Sequence, residues 1–443
     1  MFKRVLGYKT LWVVLVFTAS WGFTLWSWRD HYRLPTAEDI IAHFLVIPTA
    51  LCLGYWGVYL GVEWLKRRRQ PGPAEDLADV EPMLAAEHVM PVQIQDWSLY
   101  LPLGDEPAGV IEALKARDRP ALHPTLKDTN GFPRRIAWID ALSTEDFIES
   151  GQDDPLPIDV RRALLLASEV LEPLLMRHLE RDSIDGSELR SPLPVHVLVP
   201  TRWSIDTQTT ARQWLVSAFT PFSEHGLECP VFIHGASDTR QVLNFIEQLR
   251  HTEGLDAKSH LQVVVAIVSF TQDDALLEAL PEVSGEGACA LLLACGLPAT
   301  TGPVSAIVHP FRSEQRAQSA DLPGKVRAAT LQHLLEQYSM DLPLVSVVIA
   351  DADQRTSRQT ELLAALHTTL PELDPIDECL SLPVCCGEMG AVTTLASLAL
   401  AASNSLETQQ ETLLVSVQDP FWRAVCRIQP SPPRAPKPLQ DFA

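Results

Sequence analysis

Residues 380–402 read LSLPVCCGEMGAVTTLASLALAA, a short apolar run that enters a glycine turn and opens directly into an alanine-rich helix. The expected structure is strand, tight turn, buried helix. Gly387 and Gly390 supply the backbone freedom of a sharp turn. Ala391, Leu395, Ala396, Leu398, Ala399 and Ala402 leave the helix no polar face, so it belongs in the middle of a domain.

The same arrangement occurs earlier. PVHVLVP from Pro194, a helical stretch over 207–219, CPVFIHGASDTRQVLNFIEQL and the strand LQVVVAIVSF form one copy. PLVSVVIA from Pro343, a helix over 357–370, LPVCCGEMGAV with its helix and the strand TLLVSVQ form the other. Each copy closes on one more strand, GACALLLAC in the first and FWRAVCRI in the second. Two β-α-β-α-β-β units of similar length predict an α/β fold made by internal duplication about a pseudo-twofold, with parallel strands buried between helix layers.

This layout resembles the thiolase and ketosynthase fold over roughly the last two thirds of the chain, and SGEGACALLLA at 284–294 resembles that family's EGAAALVL-type strand. The resemblance implies a cysteine nucleophile at the first glycine turn, activated by a helix N-terminus and neighbouring histidines. Here that turn holds His234, Gly235, Ala236 and Ser237, and Cys229 lies several residues too early. The second half carries ADADQR at 350–355 and CGEMGA at 386–391 where the family carries histidine-bearing glycine loops. No catalytic residue, cofactor or metal is therefore carried over.

Other motifs are equally incomplete. HGASD resembles a nucleophile elbow at Ser237, but Thr239 stands where the last glycine is required, and His234 reads more simply as a satisfied core histidine. Gly324 and Lys325 lack the upstream glycine of a phosphate loop. Cys379, Cys385 and Cys386 have no second ligand pair for zinc. Glu286 and Glu388, each beside glycines, would form a carboxylate pair if the pseudo-twofold brings the turns together; otherwise they are exposed turn acids.

Of the 443 residues, the first 70 read as a two-helix transmembrane hairpin. Apolar runs over 11–28 and 40–65 are long enough to span a bilayer. Lys3, Arg4 and Lys9 precede the first, and Lys66, Arg67, Arg68 and Arg69 follow the second, which puts both ends in the cytoplasm. The competing reading, a cleaved signal peptide, lacks a small-residue cleavage site. Residues 71–135 form a linker and a lead-in that packs on the duplicated domain, 136–330 the first half, and 331–443 the second half with a proline-rich tail.

Charge divides at the same place. Up to residue 70 there are nine basic and four acidic residues; beyond it there are 26 and 52. An acidic soluble part argues against nucleic acid as a partner. The eight cysteines fit a reducing compartment, since their spacing is not that of a disulfide framework.

Taken whole, a membrane-anchored N-terminus, a lead-in ending in DTNGFPRRIAWI (128–139) and a degenerate thiolase-like duplication resemble the lipase-effector adaptor proteins of the type VI secretion system. That resemblance implies a non-catalytic adaptor or chaperone at the bacterial inner membrane, its folded part in the cytoplasm, that binds a secreted lipase toxin and delivers it to the secretion spike. A homodimer through a sheet edge is implied by the thiolase-like family. The alternative is a divergent acyl-CoA or acyl-carrier transferase using a cysteine.

Overall fold

The computed structural model describes residues 91–127, 131–144, 156–185, 191–251, 261–270, 283–295, 305–316, 329–339 and 345–432, and nearer the N-terminus residues 18, 20–22, 24, 26 and 49. The expected hairpin, apart from those few positions, lies outside the described residues. So do the linker over 71–90, Cys52, Gly324 with Lys325, and the tail from 433. Among the described residues no helix is long and apolar enough to cross a membrane. The chain divides into two compact units, Met1–Glu87 and His88–Ala443, and the second holds the fold.

In chain order, β1 (Val92–Tyr100) and α1 (Pro107–Ala116) precede β2 (Leu122–Lys127), β3 (Pro133–Ala137) and the long α2 (Ile158–Asp185). The first copy runs β4 (Val195–Val199), α3 (Ile205–Ala218), α4 (Thr220–Glu224), β5 (Val231–Gly235), α5 (Thr239–His251), β6 (Leu261–Val268), β7 (Val283–Gly285) and β8 (Gly287–Cys295). After β9 (Ala306–Val308), β10 (Arg312–Gln315) and α6 (Ala329–Ser339), the second copy runs β11 (Val345–Ala350), α7 (Thr356–Thr369), β12 (Cys379–Ser381), α8 (Leu382–Cys386), α9 (Ala391–Thr408), β13 (Glu411–Ser416) and β14 (Trp422–Pro430).

The large sheet has the order β12-β11-β13-β14-β9-β1-β8-β6-β4-β5, with β10 added on β14. Read from either end it repeats one pattern: edge strand, first strand of the copy, third, last, and one strand from outside. The two halves meet where β1 and β9 pair antiparallel, Val92 opposite Val308 and Ile94 opposite Ala306.

Three expectations change here. The sheet is mixed rather than parallel: β4, β5 and β6 are parallel, as are β11, β12 and β13, but β8 and β14 run against their neighbours. Only residues 417–421 join β13 to β14, too few for the crossover that parallel strands need. The lead-in does not merely pack on the domain, because β1 is hydrogen-bonded between β8 and β9. Finally, LPVCC is the short helix α8 rather than strand; Pro383 in its first turn loses no hydrogen bond there.

Three apolar clusters fill the layers. One lies around α5 and α9, which touch each other, α9 also touching strands of both halves; one lies under α2 and α3; one lies under α6 and α7. In α9 nearly every residue from Ala391 to Ala402 is fully buried, which its alanines permit by letting strands approach on all sides. Helix α2 is pinned by charge: Arg177 and Arg181 hold Asp96 of β1 at 3.1 and 2.5 Å.

Candidate functional site

The N-termini of α5 and α9 lie side by side, one from each half. Asp238 opens α5 by accepting the Gln241 N–H at 2.8 Å, while Gln241 Oε1 accepts the Ser237 N–H at 2.7 Å, a reciprocal cap that fixes the turn. Gly390 opens α9 at φ +56°, and Glu388 Oε1 accepts its N–H at 3.2 Å. Thr394 of α9 donates to the Thr239 hydroxyl at 3.0 Å, and Thr239 donates to Asp351 Oδ2 at 2.9 Å.

Asp351, at the end of β11, is buried and accepts four hydrogen bonds: from Thr239, from the Ser416 hydroxyl at 2.5 Å, and from the N–H groups of Val417 and Gln418 at 2.6 and 3.0 Å. Burial pushes its carboxyl above the ordinary range, and these four donors oppose the shift. The carboxylate therefore ties the first helix N-terminus to the second half.

In front of the two helix ends opens a cleft of about 230 Å3 lined by, among others, Arg202, Ser237, Ser269, Ser284 and Glu388. Ser237 Oγ accepts the Thr201 N–H at 2.9 Å and lies 2.7 Å from the Thr201 hydroxyl. Arg202 reaches the Ser269 carbonyl at 2.7 Å and Asp159 at 3.3 Å. Glu388 Oε2 accepts from Gln418 Nε2 at 2.7 Å, and the same amide nitrogen lies 3.2 Å from Asp353. Burial above all, then the nearby Asp351 charge, pushes the Glu388 carboxyl up to about 7; Asp353 adds to this and Arg355 opposes it.

Of the residues marked in the sequence, Ala236, Ser237, Glu388, Gly390 and Ala391 line this cleft, whereas His234, Glu286 and the marked cysteines are not among its lining residues. The turns around Glu286 and Glu388 do come together: Gly285 donates to the Glu388 carbonyl at 3.1 Å, and Glu388 donates to the Val283 carbonyl at 3.0 Å. Their carboxylates are nonetheless not a pair. Glu286 is fully buried, neither turn-exposed nor shared with Glu388, and accepts from Arg162 at 2.5 Å, Ser269 at 2.7 Å and the Ile139 N–H at 2.7 Å. It is a structural ion pair that holds α2 against the cleft wall.

His234 sits on β5 with its Nε2 3.1 Å from His196 Nδ1, and its ring lies 4.8 Å from that of Phe245. Burial lowers both imidazoles, His196 to about 4, so each is neutral near pH 7 and one ring donates to the other. Cys229 precedes β5, and burial pushes its thiol up to about 12. Cys379 stands on β12 and Cys385 on α8, each thiol raised to about 11, and burial also drives up Cys386. Among the described residues no group of three His, Cys, Asp or Glu side chains is placed to hold a metal ion.

Asp351, Gln418 and Thr394 were not singled out in the sequence. Asp351 had one readable signal, a carboxylate just past the carboxyl end of a predicted parallel strand, where α/β sheets place polar groups. Gln418 and Thr394 had none, since their roles depend on partners 30 and 155 residues away in the chain.

No protein-family model matches the chain, and no curated protein matches it. Solved structures do. The ishigamide ketosynthase/chain length factor is 14% identical, with 76% of this chain and 99% of that one covered at a TM-score of 0.51. The ketosynthase from module 1 of the bacillaene synthase of Bacillus amyloliquefaciens is 12% identical over 80% and 75%, at 0.49. The 3-oxoacyl-[acyl-carrier-protein] synthase III of Aquifex aeolicus is 14% identical over 76% and 99%, at 0.40. At such identity the likeness is one of fold: the chain has a mixed α/β, thiolase/ketosynthase-like fold.

Proposed function

We propose that this chain is a non-catalytic thiolase-like scaffold: an adaptor or chaperone, anchored in the bacterial inner membrane with its folded part in the cytoplasm, that binds a secreted lipase effector and delivers it to the type VI secretion spike. The observation that carries the non-catalytic part is the composition of the cleft. Among the described residues that line the cleft at the paired helix N-termini are serine hydroxyls, the Arg202 guanidinium and one carboxyl, but no thiol and no imidazole. A thiolate nucleophile needs a lowered pKa, whereas burial raises every described cysteine that the alternative transferase would use, Cys229, Cys385 and Cys386 among them.

The effector and the secretion spike rest on the resemblance of the sequence layout, the membrane anchor on the apolar runs and their flanking cations. A homodimer is compatible with β5, which among the described residues pairs only with β4.

Two measurements on the full chain test the reading. Incubation with acyl-CoA and acyl-carrier thioesters should give no covalent adduct by intact mass, and co-expression with a secreted lipase effector should give a stoichiometric complex. Replacing Cys229, Cys385 and Cys386 together by Ala should leave that complex intact. An acyl adduct on one of these cysteines, lost in the triple variant, would replace the adaptor by the transferase.

A further inference from the structure

Two histidines share one face of the large sheet near its β5 end. His196 on β4 stands opposite Phe232 of β5, and His234 is two residues further along β5, so the three side chains leave the sheet on the same side. On its other flank His196 stands opposite Val264 of β6, which puts Gln262, two residues earlier, on that face as well. The register therefore brings Gln262, His196 and His234 together across three neighbouring strands. None of them lines the cleft at the helix N-termini.

The imidazoles meet nitrogen to nitrogen, His196 Nδ1 lying 3.1 Å from His234 Nε2. Aromatic neighbours fix both rings: Phe232 stacks on His196 at 5.3 Å and 21°, and Phe245 of α5 packs against His196 and His234 at 5.4 and 4.8 Å. On the β6 side Gln262 is 2% exposed, and its Oε1 is buried without a partner of good hydrogen-bonding geometry. Gln262 raises the His196 pKa against the effect of burial, the sign of an acceptor beside a ring N–H.

We propose that His196 Nδ1 and His234 Nε2 form a two-ligand site for a divalent transition-metal ion of the zinc, copper(II) and nickel class, with Gln262 as the residue that orients His196. Two imidazole nitrogens bound to one ion at about 2.0–2.1 Å stand about 2.9 Å apart at a right angle and about 3.3 Å apart at the tetrahedral angle. The observed separation falls between these values. Imidazole ligands select these ions over magnesium and calcium, which take oxygen. With Gln262 Oε1 accepting from the Nε2–H of His196, the lone pair of that ring is on Nδ1, as an acceptor at the second nitrogen orients metal-bound histidines generally. The His234 proton that bridges the two rings moves to His234 Nδ1 when the ion takes its place, so both rings stay neutral. Water fills the remaining positions, and binding is exchangeable rather than that of a closed four-ligand structural site. The site is independent of the adaptor reading.

The test follows His234 itself, so that an ion held elsewhere on a chain with 13 histidines does not mimic it. The full chain is equilibrated with ZnCl2 or MgCl2 and treated with diethylpyrocarbonate, which acylates neutral imidazole, and the modified histidines are mapped by peptide mass. Zinc should protect His234 and magnesium should not. His196→Ala should abolish the protection. Gln262→Leu should raise the zinc concentration needed by at least about tenfold, and Gln262→Glu, which keeps an acceptor, should restore it. The parent loaded with one equivalent of CuCl2 should show at least two nitrogen ligands by electron paramagnetic resonance, and His234→Gln, at a half-buried edge position, should lose one with its melting midpoint unchanged. No zinc protection of His234 in the parent, protection that persists in His196→Ala, or a copper spectrum unaltered in His234→Gln would each overturn the proposal.

Discussion

Gly390 sits so close to Ser237 that a Cβ built on it would lie 3.0 Å from the Ser237 carbonyl oxygen, and its φ of +56° belongs to the left-handed region. These two residues head the central helices of the two halves. A side chain at 390 would therefore both strain the turn and push one half away from the other.

Gly390→Ala should lower stability by about 1–3 kcal/mol. Gly285→Ala should be worse, on the order of 4 kcal/mol, because its Cβ would stand 1.9 Å from the Cys386 carbonyl oxygen, a backbone atom that has no free space to retreat into. Denaturant midpoints of the two variants rank them; a Gly285→Ala protein as stable as the parent would mean that the two glycine turns are not in contact.

The carboxyl of Glu388 makes stability pH-dependent with a defined sign. Its folded pKa is about 7 against an ordinary value of 4.5, so between these values the folded state binds more protons than the unfolded one. Stability contributed by this group is full below about pH 4.5 and falls as pH rises to about 7, by roughly 1–3 kcal/mol in all. Glu388→Gln should flatten that segment of the stability profile. Thermal melts of both proteins across the window measure the difference, and parallel profiles would remove Glu388 as its source.

Asp351→Ala strands four donors at once, on Thr239, Ser416, Val417 and Gln418. The expected loss is about 2–4 kcal/mol, since each buried donor left without a partner is costly. Thr239→Val should cost less, because Asp351 keeps its other three donors. Urea unfolding of both variants decides the order.

Ala399 is fully buried in α9. Ala399→Leu should overpack the space between the halves at a cost of about 1–3 kcal/mol, while Glu407→Leu, on the exposed last turn, should change the midpoint little. Equal effects would mean that α9 is not the central helix.

The alternation of apolar strands with helical stretches, and the absence of any polar face on residues 391–402, made the duplicated α/β core legible before any coordinates. Burial of an alanine-rich helix is a local property: small side chains on every side admit close neighbours wherever those neighbours come from. Strand direction was read wrongly as parallel throughout; β14 runs against β13, and the five residues between them are too few for a crossover. The placement of β1 was not legible. It pairs with β8, almost 200 positions later, and with β9, and an apolar strand carries no mark of which free edge it will fill.

The candidate site divides in the same way. Sequence spacing put Ser237 and Glu388 at glycine turns, with no cysteine in the first turn and Cys386 directly before Gly387 in the second. Only the tertiary structure decided that Glu286 is spent on Arg162 while Glu388 faces a cleft beside Ser237. It also decided that Asp351 joins the halves and that the cysteines are held by apolar surroundings as neutral thiols. Hydrogen-bond partners and desolvation are set by what approaches from distant segments, and a one-dimensional pattern records the groups available but not which of them the fold brings together.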